Sequence, residues 1–575
     1  MRKILCFLLL LSTFKAHSQA LSTPFEKSNG NQTSVYSEII DWWKKLDLQY
    51  PQVKMRTIGA TDAGFPLTVV MVGKDSNYSF QRPKNSKTTV ILINNGIHPG
   101  EPDGIDASMM LARDIVTGKL ALPENVVLAI VPVYNIGGCL DRSKNYRVDQ
   151  NGPEEFGFRG NSQNLDLNRD FIKMDSKEAR AFVAMYRMID PDVMIDNHVS
   201  NGADYQHVMT LIASQHNKLG GAMGEFMNKQ FEPGIYTLMK KKGYDLVPYV
   251  NSFGESPEQG WPEFLEGPRY SSGYASLWQT FAFVPESHML KPYAQRVKAT
   301  YAMMECFIQF TSENAETIIG LRQRARLENI TRAEFPINWT LNRNASSTIQ
   351  FRGYTAGYKP STISGLPRLY YDRTKPFTKE VKFYNEYTAD KNIKKPKAYI
   401  IPQGWWEVID RLKLNKVQYY QLFRDTVMTV EVYHIDGYNA GARPYEKHHL
   451  NGDVKLTASQ LSMKFRKGDV VIPMNQEANR FVMEVLEPQA PDSYFAWNFF
   501  DAILGQKEGY SDYVFEETAA EFLKGSPAVK KMLDGKRASD TAFARNGGAQ
   551  LEFVYRNSPY YEPANMRYPV YRLLQ

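Results

Sequence analysis

The residues of this chain best placed to do chemistry are two histidines and two glutamates. His98-Pro99-Gly100-Glu101 follows directly on the apolar run TTVILINNG, and His198 follows VMID in VMIDNHVS. A His-x-x-Glu pair alone is a weak signal, and its ordinary reading is a solvated loop. Position strengthens it, because both segments lie just past apolar strands, where loop side chains converge over the edge of a sheet. Two His and one Glu make the set that holds a catalytic Zn2+ and leaves a fourth position open. Zinc in such a set lowers the pKa of the water it binds towards neutrality. Hydrolysis then needs a carboxylate to move protons and a fixed cation for the oxyanion. Glu286, at the end of FAFVPE, suits the first task. Arg159, Asn168 and Arg169 in RGNSQNLDLNR offer two guanidiniums and an amide, although such a loop standing alone reads as salt-bridged surface.

These residues need elements to hold them. Apolar spacings of three and four predict a helix over 37–50, and an apolar run predicts a buried strand over 89–93. A helix over 103–117, a strand over 126–133 and a long Gly- and Asn-rich loop to about 169 follow. Beyond it come a helix over 176–188, strands over 192–196 and 282–284, and a helix over 292–309. Alternation of this kind predicts an α/β fold over residues 21–320, with a mixed, mostly parallel sheet sandwiched by helices. Residues 321–575 read as a C-terminal accessory region: β-rich to about 395, then α/β, with helical stretches near 495–505 and 516–533. That region carries no internal repeat, no phosphate-binding Gly loop and no catalytic motif.

Taken together, the motifs resemble those of the zinc metallocarboxypeptidases of the carboxypeptidase A type, in the form of a secreted bacterial member. The resemblance spans roughly 37–310. It rests on Ile58-Gly59-Ala60-Thr61 with Gly64-Phe65-Pro66-Leu67, and on Asn95-Gly96-Ile97-His98-Pro99-Gly100-Glu101. It continues with Arg159 ahead of Asp166-Leu167-Asn168-Arg169-Asp170-Phe171, with Asp196-Asn197-His198 and with Val284-Pro285-Glu286. It implies one Zn2+ held by His98, Glu101 and His198. By the same resemblance Glu286 is the general base for the attacking water and then protonates the leaving amine. Arg159 polarises the scissile carbonyl, while Asn168 and Arg169 grip the free C-terminal carboxylate of a peptide substrate, a planar anion that a guanidinium fits. The chain departs from the family in having Val199-Ser200 where relatives often have Ser-Tyr. Tyr270 and Tyr274 both remain candidates for the tyrosine that caps the substrate, and no residue declares the side-chain preference. His207, His216, His288, His434, His448 and His449 read as polar loop or supporting residues.

At 575 residues the chain exceeds what one hydrophobic core fills. With 43% hydrophobic and 23% charged residues it is not a disordered, collagen-like or many-pass membrane protein. A net charge of +7, with no Lys/Arg run, gives no footprint for nucleic acid. Residues 1–20 have the layout of a signal peptide: Arg2 and Lys3, an apolar run from Ile4 to Phe14, then small and polar residues. The run is too short to span a bilayer, so export to the periplasm or the medium is expected, with no membrane span. Only a short segment separates this leader from the first helix, so no propeptide and no proteolytic activation are expected. Cys139 and Cys306 are too few for a disulfide framework and pair only if the fold brings them together. Two other readings stand beside the carboxypeptidase. A zinc amidase or deacylase acting on N-acyl amino acids or cell-wall peptides would also use a carboxylate clamp. A non-catalytic binding protein on the same fold is opposed by the presence of all three ligands with Glu286 and Arg159.

Overall fold

The computed structural model describes residues 21–74, 80–81 and 86–574, so the expected leader, residues 1–20, lies outside the described residues. The central sheet is built from β1 (Val53–Ala60), β2 (Pro66–Val72), β3 (Thr89–Asn94), β4 (Val126–Val131), β5 (Val193–Asp196), β6 (His198–Ser200), β7 (Met209–Ala213), β8 (Val247–Pro248) and β9 (Phe281–His288). Their order is β1-β2-β4-β3-β5-β9-β7-β8, with β6 beside β9. The middle, β4-β3-β5-β9, is parallel, and antiparallel pairs flank it. Every residue of β3 and β5 is buried, which suits strands covered on both faces.

Alternate residues of these strands feed two cores. Ile91, Ile93 and Ile195 point to the face covered by α1 (Tyr36–Gln49), α2 (Asp103–Val116) and α4 (Tyr293–Glu313), among Trp43, Met109 and Phe307. Leu92 and Met194 point the other way, to Phe182 and Met185 of α3 (Lys177–Ile189). Truncating a fully buried residue such as Leu92 to Ala costs about 2–5 kcal/mol. Ser176 caps α3 by accepting from the Ala179 amide. The helix ends at Asp190, in the left-handed region at φ 52°. The architecture is the mixed, mostly parallel sheet between helices that the sequence predicts.

Residues beyond 315 depart from expectation in places. A helix, α5 (Ala315–Thr331), runs where 321–331 reads as β-rich. Its buried side includes Arg322 and Asn329, and a polar buried face erases the apolar period that marks a helix. Arg322 and Arg326 reach Asp190 at the end of α3, at 2.9 and 3.0 Å. The stretch 495–505 is turns with one short 3-10 segment, Asp501–Ile503, rather than a helix. Two long hairpins dominate this half: β10 (Ser347–Pro360) with β11 (Pro367–Tyr384), and β12 (Thr426–Ala440) with β13 (Asn451–Phe465). Strands Ala398–Ile401 and Val470–Pro473 join the second hairpin in a six-stranded sheet. Tyr399, Ile472, Phe481 and Trp497 pack into the same core as Leu92 and α3. The C-terminal half thus shares a core with the α/β sheet. Three helices, Asp512–Gly525, Pro527–Ser539 and Gly547–Arg556, form a small cluster of their own. Among the described residues no helix is long and apolar enough to cross a membrane. Cys139 and Cys306 are buried and free.

Candidate metal centre and cleft

The loops after β3 and β5 are locked side by side. Asn94 Nδ2 donates to Asp196 Oδ1 and Asn197 Nδ2 to Asn95 Oδ1, both at 2.9 Å. Gly104, just inside α2, allows this approach, since a Cβ there would meet Asn197 Cβ at 2.4 Å. Strand pairing sets His198 of β6 directly opposite Glu286 of β9.

The result is a buried cluster in which His98, Glu101 and His198 each offer one ligand atom within 4.8 Å of the others. The two rings lie 4.9 Å apart. His98 Nε2 is held by Asp166 Oδ1 at 2.8 Å, and His198 Nε2 by Asp196 Oδ2 at 3.1 Å. Each ring therefore keeps Nδ1 for the cluster. His198 Nδ1 lies 3.1 Å from Glu101 Oε2, and His98 Nδ1 is enclosed 3.5 Å from Glu101 Oε1, without a hydrogen-bond partner among the described residues. Carboxylates that fix the far nitrogen orient metal-ligating imidazoles. An orphaned ring nitrogen, a second ring and a buried carboxylate converging on one point fit a zinc ion.

Charge is arranged accordingly. Burial works against ionisation of Glu101, but Arg147 and His98 outweigh it and hold the carboxyl well below its ordinary range. Arg147 Nη1 bonds Glu101 Oε1 at 2.7 Å and its Nη2 the Val199 carbonyl at 3.2 Å. Burial likewise opposes a charged Asp166, yet His98, Arg159 and Arg169 keep it low. Glu286 is the contrary case: burial pushes its pKa up to about 8, against the pull of His198. Its Oε2 is enclosed and, among the described residues, has no partner.

His98, Glu101, Arg159, Asn168, Arg169, His198 and Glu286 all line one cleft of about 590 Å3. Arg159 is half-exposed, with Nε 2.9 Å from Asp166 Oδ2 and Nη1 3.4 Å from Glu101 Oε1. Asn168 is buried and accepts from the Ser271 amide at 3.1 Å. The Arg169 guanidinium lies 4.3 Å over the Tyr270 ring. Tyr270 therefore sits in the cleft, whereas Tyr274 is fully buried and donates to Asn415 Oδ1 at 2.7 Å. His207 and His288 are buried structural residues, bonded to the Asp245 and Ala203 carbonyls, each at 2.8 Å.

Several groups at the site escape a reading of the sequence. Arg147 belongs to no recognised motif. Tyr445 and Glu446 come from the turn between β12 and β13, far along the chain. Tyr445 Oη accepts from Arg169 Nε at 2.9 Å, and Glu446 Oε2 accepts from the Asp166 amide at 2.8 Å. The only prior sign was compositional, a turn rich in Gly, Pro and charge (YNAGARPYEKHH).

Known proteins resemble part of this chain. Residues 39–210 match the model of the zinc carboxypeptidase family, a stretch that includes His98, Glu101, Arg159, Asn168, Arg169 and His198 but not Glu286. Carboxypeptidase 2 of Trichophyton rubrum is 20% identical over 456 residues, covering 75% of this chain and 78% of its own. Carboxypeptidase 2 of Trichophyton equinum is 21% identical over 460 residues, covering 75% and 78%. Among solved structures, a metallo-carboxypeptidase from Burkholderia cenocepacia aligns with TM-score 0.36 and 15% identity, over 48% of this chain and 69% of that one. The carboxypeptidase A of Helicoverpa armigera aligns with TM-score 0.37 and 12% identity, over 50% and 74%. Residues 39–210 of this chain are thus similar to the zinc carboxypeptidases, a family of zinc metallopeptidases.

Proposed function

We propose that the protein is an exported zinc carboxypeptidase that removes single residues from the free C-terminus of peptides. The observation that carries this reading is the convergence of the His98–Glu101–His198 cluster, Glu286 and the Asn168–Arg169 pair in one cleft. His98, Glu101 and His198 would hold one zinc, which when bound supplies Lewis acidity for hydrolysis. Glu286 takes the proton of the attacking water and returns it to the leaving amine. Burial raises its carboxyl above the ordinary carboxylate range, and a carboxyl so placed is the proton carrier that hydrolysis needs. Arg159, half-exposed at the mouth, faces the scissile carbonyl and stabilises the oxyanion. Asn168 and Arg169 receive the terminal carboxylate, and Tyr270 forms the wall beneath the guanidinium. The basic, apolar leader of residues 1–20 supports export.

A matched pair of peptides tests the clamp. Release of the last residue from a free-acid peptide, with no cleavage of its C-terminal amide, is expected. Equal cleavage of both, or internal cleavage, would remove Arg169 from this role. Turnover of N-acyl amino acids alone would replace the carboxypeptidase with a deacylase.

A further inference from the structure

A second carboxyl in the cleft, besides Glu286, has an oxygen that no hydrogen bond reaches among the described residues. Glu266, in the segment before the helix Ser271–Leu277, is 6% exposed and lines the cleft with Glu286, Arg169, Tyr270 and Phe264. Its Oε2 is enclosed and, among the described residues, no group donates to it. Its backbone carbonyl is committed instead, accepting from Lys218 Nζ at 3.0 Å. A buried acceptor left unpaired costs about 1–3 kcal/mol, so such groups mark places that a ligand completes. Burial raises the Glu266 carboxyl against the pull of His198, Arg169 and Lys218. None of the three cleft arginines hydrogen-bonds it, although Arg169 is near enough to attract its charge: Arg147 and Arg159 bond Glu101 and Asp166, and Arg169 bonds Tyr445 and the Asn168 carbonyl. Nor is Glu266 the proton carrier, a task assigned above to Glu286.

We propose that Glu266 selects the side chain of the residue released, favouring one that ends in a cationic nitrogen: lysine, arginine or another diamino acid. This rests on the carboxypeptidase reading, in which Asn168 and Arg169 hold the terminal carboxylate beside this wall. The rings of Phe264 and Tyr270 pair edge-to-face at 5.4 Å and offer apolar surface for an aliphatic stem. An ammonium or guanidinium at its end gives Oε2 a charge-assisted donor. A leucine side chain leaves that oxygen dry and unpaired.

Blocked dipeptides ending in Lys, Arg, Gln and Leu, offered to wild type and Glu266→Gln, read the preference. Wild type is expected to favour Lys or Arg over Leu by about 10- to 100-fold in kcat/KM, the worth of one buried charged hydrogen bond. Glu266→Gln should erase that ratio by slowing the Lys- and Arg-terminated substrates far more than the Leu-terminated one, with the melting temperature near wild type. Equal slowing of all four substrates would reduce Glu266 to a structural counter-charge for Lys218 and overturn the proposal, as would a wild-type preference for Leu. Calorimetric binding of free lysine and leucine to zinc-loaded Glu286→Gln separates the two levels. Lysine binding abolished by adding Glu266→Gln upholds the selecting site even if no peptide is cleaved, and then the hydrolytic reading falls. Cleavage without any lysine advantage keeps that reading and sinks this one.

Discussion

The two halves of the molecule use β-strands in opposite ways. In the central sheet, β3 and β4 have six residues each and β5 four, nearly all buried. In the C-terminal half, β10 to β13 have 14, 18, 15 and 15 residues and stand largely in solvent. Short strands covered on both faces end together, so the loops that leave them converge, and the candidate ligands sit there. Long hairpins cannot gather side chains in that way, but they can reach. The turn between β12 and β13 brings Tyr445 and Glu446 onto the loop of Asp166 and Arg169. A half with no catalytic motif therefore helps to build the site, and its apolar residues cover one face of the sheet.

That division of labour can be broken at its joint. Asp175, of the first half, bonds Arg411 at 3.2 Å and His448 at 2.7 Å, both from the second, and Lys173 beside it. Burial opposes its charge, but His448, Lys173 and Arg411 prevail and keep the carboxyl below its ordinary range. Asp175→Asn is expected to cost about 3–5 kcal/mol, measured by denaturant unfolding, because it strands buried cations. A depressed folded pKa stabilises fully above the unfolded value of about 3.9 and loses that contribution as pH falls below it. Wild type should therefore lose stability on acidification below about pH 4 by an increment that Asp175→Asn lacks.

Asp166→Asn probes the first half alone. Weakening the carboxylate that fixes His98 should lower zinc affinity or turnover by about 10- to 100-fold, read by competition with a chelating dye. Tyr445→Phe probes the reach of the second half. Losing the acceptor for Arg169 should raise KM by about tenfold with kcat little changed; an unchanged KM would confine that half to a structural role. Smallest of all, deleting residues 361–366 from the tip of the β10–β11 hairpin, where Ile363 is 95% exposed, should leave activity and melting temperature near wild type.

The same contrast explains what the sequence makes legible. TTVILINNG and VMIDNH combine apolar runs with chemistry at their ends, so strand, loop and candidate ligand are read together. Glu286 ends an apolar run of the same kind, whereas Arg169 stands in a polar loop and is visible only through the family resemblance. Arg147 and Glu266 are not, since no spacing ties them to the cluster and only folding encloses them. Tyr445 is hidden by distance along the chain. The helix α5 is hidden by its own polarity, because Arg322 turns inward to Asp190 and Asp192.

The central claim is zinc-dependent release of C-terminal residues with Glu286 as the proton carrier. It is tested most directly by measuring zinc content together with amino-acid release from a mixed peptide pool, for the mature protein and Glu286→Gln. One zinc per chain in both, with single-residue release only in wild type, is the predicted result. Absence of zinc after reconstitution, or release undiminished in Glu286→Gln, would contradict it.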